Sequence, residues 1–158
     1  MFVGKSKWLT DTLCFHVATN VVAKSWGYEE IIYNQEYCLK ILSVRANQGC
    51  SMHYHVNKKE TFYVTMGELR VEYIDPKTGK CSYVKLRVGE AITLTPGQAH
   101  RFKAGAMGAE FIESSSHDEA ADSYRVCASN LGESEWRYGS TEVKNFRKED
   151  NSDNTEEK

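Results

Sequence analysis

The sequence predicts an all-β domain, a sandwich or barrel of short antiparallel strands. Three observations predict it. From about Tyr28 to Val126 the chain is a succession of short runs rich in Val, Ile, Tyr, Phe and Thr, several of them alternating polar and apolar. Turn residues separate these runs at intervals near ten. No helical apolar periodicity lies between them, and strands without intervening helices close into a sandwich or barrel.

Taken in order, the runs are Tyr37–Val44, Ser51–His55, Thr61–Thr65, Glu68–Ile74, Tyr83–Val88, Ala91–Thr95, Ala99–Lys103, Glu110–Ser114 and Tyr124–Cys127. Asp75-Pro76-Lys77-Thr78-Gly79 is a hairpin turn, because Pro presets one dihedral and Gly supplies a positive one. Gly67, Gly89 and Gly97 mark further turns, and both prolines fall in turns. Ahead of the strands, residues 1–25 read as an N-terminal arm in which Leu9 to Ala23 could form a short helix or pack on a neighbour. The barrel then occupies 26–128. Residues 129–147 read as an extension that docks through Trp136, Tyr138 and Phe146. Residues 148–158 lack any apolar side chain and read as a disordered acidic tail.

With 158 residues the chain is long enough for one domain with a real core. Its net charge of −2, with both signs interspersed, offers no basic stripe for nucleic acid and no basic amphipathic helix for a membrane surface. No apolar run reaches membrane-spanning length, and residues 1–25 lack the hydrophobic stretch of a signal peptide. Five scattered cysteines without a Cys-x-x-Cys pair fit a reduced, cytoplasmic protein.

Four residues carry the chemistry. His53 and His55 are two apart on a strand, so their imidazoles share a face. Glu60, after a Val56-Asn57-Lys58-Lys59 connection, returns a carboxylate to the same spot, and His100, after the Pro96-Gly97 turn, supplies a third imidazole. Three nitrogens and one oxygen suit one divalent transition ion (Zn, Mn, Fe, Ni or Co) with positions left open for substrate. A lone strand His is more often a hydrogen-bonded structural residue, so the combination is the signal. His16 and His117 have no such setting and read as ordinary surface or turn residues. Cys50, at odd parity to His53, faces away from the imidazoles.

The block Gly49-x3-His53-x-His55-x4-Glu60-x6-Gly67, followed by Pro96-Gly97-x2-His100, resembles the two signature motifs of the cupin superfamily. That resemblance implies a double-stranded β-helix, or jelly-roll barrel, holding a metal in its mouth with three His and one Glu. The first motif is two residues short between its Gly and first His, and the second lacks its usual terminal Asn; neither departure touches a ligand. Trp26-Gly27-Tyr28-Glu29, Leu39–Val44, Ser51–His55, Pro96–Arg101, Phe111–Ser114 and Asp122-Ser123-Tyr124-Arg125 are collinear with the cupin domain of type II mannose-6-phosphate isomerases, over about two thirds of the chain. Those enzymes usually carry Gln where this chain has His53. Their segment before Asp-x-x-Arg is about two residues longer, and the nucleotidyltransferase domain often fused to them is not in this sequence. D-lyxose isomerase, another sugar-isomerising cupin, is similar in its His-x-His…Glu…His site.

The resemblance implies a metal-dependent isomerase of a sugar or sugar phosphate. It makes Glu113 the catalytic base, with Glu110 as fallback, and Lys40 the residue that holds a hydroxyl or phosphate. By parity Glu113 could equally face outward, and Lys40 could simply be solvated. Lys58 and Lys59 fall at the barrel rim and read as surface residues able to attract a phosphate. Arg101 points away from His100 and reads as half of a structural ion pair. Asp122 and Arg125 tie down the last strand, with a substrate role also open to Arg125, and alternating members of Tyr54, Phe62 and Tyr63 line the pocket. Two other classes fit the same ligands: a non-haem metal-dependent oxygenase or lyase, and a non-catalytic cupin that binds a sugar or metabolite. A homodimer through an edge strand or the arm is expected.

Overall fold

The computed structural model describes residues 20–126, together with the backbone of Lys7–Thr10 and Leu13–Phe15. The expected extension (129–147) and acidic tail (148–158), along with His16 and Cys127, lie outside the described residues. Lys7–Thr10 (β1) and Leu13–Phe15 (β2) pair as a small antiparallel hairpin, so these parts of the arm are strand rather than helix.

The rest is one curled, wholly antiparallel sheet of nine strands: β3 (Asn20–Lys24), β4 (Gly27–Asn34), β5 (Tyr37–Val44), β6 (His53–Tyr54), β7 (Glu60–Ile74), β8 (Cys81–Arg87), β9 (Ala91–Leu94), β10 (His100–Ser116) and β11 (Tyr124–Arg125). A single 3₁₀ turn, Ala120–Asp122, precedes β11. Asn20–Lys24 pairs with residues 27–31 of β4 at the sheet edge, ahead of the first strand read from the sequence. No helix among the described residues is long and apolar enough to cross a membrane.

Two pairs of expected strands are single long ones. Thr61–Thr65 and Glu68–Ile74 are both part of β7, and Ala99–Lys103 and Glu110–Ser114 are both covered by β10, apart from Ala99. Gly67 is therefore no chain reversal. It sits at a register shift inside β7, at φ 75°, where a Cβ would come within 2.2 Å of the Gly108 carbonyl oxygen. The bulge changes the phase of the strand. Before it Glu60, Phe62 and Val64 face inward; after it Leu69 and Val71 do. β10 shifts likewise, from His100, Phe102 and Ala104 to Ala109, Phe111 and Glu113. One long strand thus serves the site at one end and the core at the other.

The core is a cluster of Trp26, Leu42, Val44, Phe62, Val64, Leu69, Val71, Leu86, Leu94, Phe102 and Phe111. Phe102 meets Trp26 and Phe111 edge-on, each at 5.0 Å between centroids, the favoured geometry for aromatic pairs. The Asp75–Gly79 turn forms as expected: Asp75 accepts the Gly79 amide at 2.8 Å through its carbonyl and the Lys77 amide at 2.8 Å through its side chain. Arg101 pairs with Glu72 at 2.6 Å on the outer face, as expected for a residue pointing away from His100.

Asp122 ties the 3₁₀ turn before β11 to the loop before β7. Its carboxylate accepts the amides of Val56 (2.9 Å), Asn57 (3.0 Å) and Lys58 (3.1 Å). An alanine there strands three donors, two of them in a partly buried loop. Asp122→Ala should lose roughly 2–4 kcal/mol of unfolding free energy in urea, since each unsatisfied donor costs about 1–3 kcal/mol where water cannot reach it. A loss under about 0.5 kcal/mol would mean the loop holds itself.

Candidate metal centre

The three imidazoles converge because two separate backbone segments meet at one end of the barrel. His53 lies opposite His100 in the β6–β10 pairing, and His55 follows two residues on. The ring centroids of His53 and His100 are 4.6 Å apart, those of His53 and His55 5.1 Å, and those of His55 and His100 5.9 Å. Their candidate ligand atoms all lie within 4.8 Å of one another, so the three could hold a metal ion.

The backbone sets which nitrogen is available. Each Nδ1–H donates to a carbonyl: His53 to Ser51 at 2.8 Å, His55 to Asp122 at 2.9 Å and His100 to Gln98 at 2.9 Å. With Nδ1 carrying the proton, each Nε2 presents a lone pair, the tautomer a metal ligand needs. Burial and the neighbouring His100 push the His53 pKa down to about 4, and burial pushes that of His55 down, so both rings are neutral at physiological pH.

Glu60 lies beside two of the three imidazoles. Its Oε1 lies 2.6 Å from His100 Nε2 and 3.8 Å from His55 Nε2, and all three atoms are buried without a hydrogen-bond partner. Lone pairs facing at such a distance repel unless a cation lies between them. A metal ion between them would relieve both contacts at once. The donor set, neutral imidazole plus carboxylate, fits a divalent transition ion.

Beside this centre lies a run of alternating charge. Lys58 Nζ sits 2.5 Å from Glu113 Oε1, 2.8 Å from Asp118 Oδ1 and 3.0 Å from Glu60 Oε2. The other Asp118 oxygen is 2.6 Å from Lys40 Nζ, which also lies 3.6 Å from Glu29. Glu113 is registered between Lys40 on β5 and Phe62 on β7, and all three side chains point inward. Burial raises the Glu113 pKa, with the Lys58 and Lys40 charges opposing. Burial would lower the Lys58 pKa, but Glu113, Glu60 and Asp118 overcome it and hold Lys58 cationic.

Lys40, His53, His55, Lys58, Glu60, Glu113 and Asp118 line one open cleft of about 750 Å³, with Trp26 and Phe62 on its apolar side. His100 sits behind them, 1 % exposed. Lys58 corrects the sequence reading. It is 5 % exposed rather than a surface lysine, because it stands two residues before inward-facing Glu60 while the amides of its loop are drawn in by Asp122. That spacing was the signal to read. Lys59 is exposed. Asp118 was not anticipated, and nothing in His117-Asp118-Glu119 marks it. Glu110 is not part of the cleft lining; its carboxylate accepts from Thr65 at 3.0 Å. Phe62 lines the cleft, whereas Tyr63 is 44 % exposed and Tyr54 stacks on Tyr124.

Asp118 yields a pH prediction. Burial would raise its pKa, but Lys58 and Lys40 hold it at about 2, below the ordinary 3.8. The native state therefore binds this proton less readily than the unfolded chain. The stabilisation is complete above about pH 4 and is lost as pH falls through 2, and it is worth roughly 2 kcal/mol at one pKa step per 1.4 kcal/mol. Thermal unfolding should show the unsubstituted protein exceeding Asp118→Asn by a margin that shrinks between pH 4 and pH 2. A margin independent of pH would mean the two lysines do not stabilise the carboxylate.

Residues 41–112 match the model of the cupin domain. No curated protein sequence matches the chain. Among solved structures it is similar to oxalate decarboxylase from Bacillus subtilis, with a TM-score of 0.66 and 17% identity over 77% of this chain and 34% of that one. It is similar also to the formate complex of Lactobacillus farciminis oxalate decarboxylase, with a TM-score of 0.64 and 14% identity over 77% of this chain and 38% of that one. The chain thus spans little more than a third of the length of these structures, and at such identities the likeness is one of fold. Residues 41–112 are thus similar to a cupin domain, and the described sheet has the fold of a cupin β-barrel.

Proposed function

We propose that this cupin is a metal-dependent aldose–ketose isomerase acting on a sugar or sugar phosphate. One observation carries the reading: Glu113, a buried carboxylate of raised pKa held by Lys58, lines the same cleft as the candidate metal ligands. Isomerisation moves one proton from C2 to C1 and one hydroxyl proton from O2 to O1, and consumes no oxidant or reductant.

His53, His55, His100 and Glu60 would hold one divalent ion. Such an ion, when bound, supplies Lewis-acid polarisation of the substrate carbonyl. Glu113 takes the C2 proton and returns it to C1. Its raised pKa makes it a stronger base than a surface carboxylate, and the Lys58 ammonium keeps it ionised until it accepts the proton. Lys40, fixed by Asp118, orients a substrate hydroxyl. Trp26 and Phe62 give the cleft an apolar wall that limits water at the reacting carbons. The enzyme acts as a homodimer, a point checked by light scattering of the purified chain.

The test is solvent exchange. The metal-loaded protein, incubated in heavy water with mannose, lyxose and their phosphates, should place deuterium at C2 of at least one of them. Exchange with none removes the isomerase reading. A second reading, a metal-assisted lyase of a small carboxylate, is favoured by Arg125, which lines the cleft opposite His53 in the β11–β6 pairing. Carbon dioxide release from a dicarboxylate would establish it instead.

A further inference from the structure

We infer that the cleft selects an uncharged polyhydroxy substrate and discriminates against its phosphate ester. This rests on the isomerase reading and narrows it. A phosphate group carries close to two negative charges at neutral pH and needs cations with donors to spare. The cleft has lysines in the right place, but their charge is already balanced by carboxylates.

An ammonium has three N–H donors. Around Lys58 Nζ, Glu113, Asp118 and Glu60 place three carboxylate oxygens within 3.0 Å, one for each. Lys40 gives its shortest contact, 2.6 Å, to Asp118, with Glu29 at 3.6 Å. Lys24 at the mouth is 3.3 Å from the same Glu29. Asp118 is the pivot, since its two oxygens neutralise Lys40 and Lys58 separately. Among the described lining residues Arg125 is the one further cation, and Glu119 stands with it at the open end. With Glu60 left to the metal, the wall carries four carboxylates, Glu29, Glu113, Asp118 and Glu119, for its four cations, so no cation is in excess.

A phosphate entering here would meet lysines already paired with carboxylates and would have to displace Asp118 from two of them. Sugar hydroxyls face no such difficulty. They donate to carboxylate oxygens, and Glu29, Asp118 and Glu119 supply acceptors along the cleft, while Trp26 and Phe62 suit the C–H face of a ring.

The experiment compares matched pairs on the metal-loaded full chain: mannose against mannose 6-phosphate, and lyxose against lyxose 5-phosphate. The free sugar should give at least about tenfold higher kcat/KM for C2 exchange, the scale expected when one uncompensated charge is placed near a partly buried carboxylate. Faster exchange with the phosphate esters overturns the inference and leaves the isomerase reading standing. No exchange with any sugar removes that reading, and thermal shifts with the same pairs then decide the inference. A larger shift with the free sugar supports it; a larger shift with the ester, or no shift with either, overturns it. Asp118→Asn takes away the nearest carboxylate of Lys40 and one of the three around Lys58, and should tighten binding of inorganic phosphate at least about tenfold by calorimetry. Unchanged phosphate binding in a folded Asp118→Asn protein also overturns it.

Discussion

Glu113→Gln should lower C2 proton exchange by about 10²–10⁴-fold while leaving the metal bound, the range by which a positioned general base accelerates proton transfer. Gln keeps the shape of the side chain and still accepts a hydrogen bond from Lys58, which retains Glu60 and Asp118 as charged partners. The variant therefore stays folded and loses only the proton acceptor. Metal content by elemental analysis and KM for the sugar should be close to the unsubstituted protein, with the loss in kcat. The same substitution at Glu110, whose carboxylate lies with Thr65 and not in the cleft lining, should leave kcat unaffected. Retention of more than about a tenth of the exchange rate in Glu113→Gln would place the base elsewhere. His53, His55, His100 and Glu60 are separable from it by the opposite pattern, loss of metal together with activity.

Lys58→Met should destabilise the fold by about 3–5 kcal/mol, the cost of removing one partner of a buried ion pair and leaving the other charges without compensation. Three carboxylates lose their shared cation at once: Glu60, Glu113 and Asp118. Met matches the length and volume of the lysine stem, so little of the loss is packing. Urea unfolding measures it directly. The same substitution at exposed Lys59 should stay within about 0.5 kcal/mol. Combining Lys58→Met with Glu113→Gln should recover part of the loss, because one of the orphaned charges is then gone; the coupling distinguishes an electrostatic cause from a packing one. A Lys58→Met protein as stable as its parent would mean that these carboxylates protonate at little cost.

Much of the site was legible because strand periodicity is a local property. His53 and His55 share a face by spacing alone, and the Pro96-Gly97 turn announces His100. The Asp75–Gly79 reversal and the outward Arg101 follow from the same local rules. The two bulges were not legible as such. Gly67 was read as ending a strand, whereas close approach to Gly108 lets β7 continue with its phase reversed. That reversal belongs to a pair of strands and cannot be seen in either one. Lys58 was misread for a related reason. A lysine in a loop is solvated unless something neutralises it, and its neutralisers come from β10 and from the segment after it, more than fifty residues away.

By itself the sequence determined the all-β class, the strand runs and the four candidate donors, since these follow from alternation, turn chemistry and residue type along a local stretch. Tertiary structure decided the electrostatics: which imidazole nitrogen is free, that Glu113 and Lys40 face inward, and that Asp118 quenches two lysines. The reason is range. A side chain's face is set within two residues, but its charge environment is set by whatever distant strand the closing sheet brings within about 3 Å.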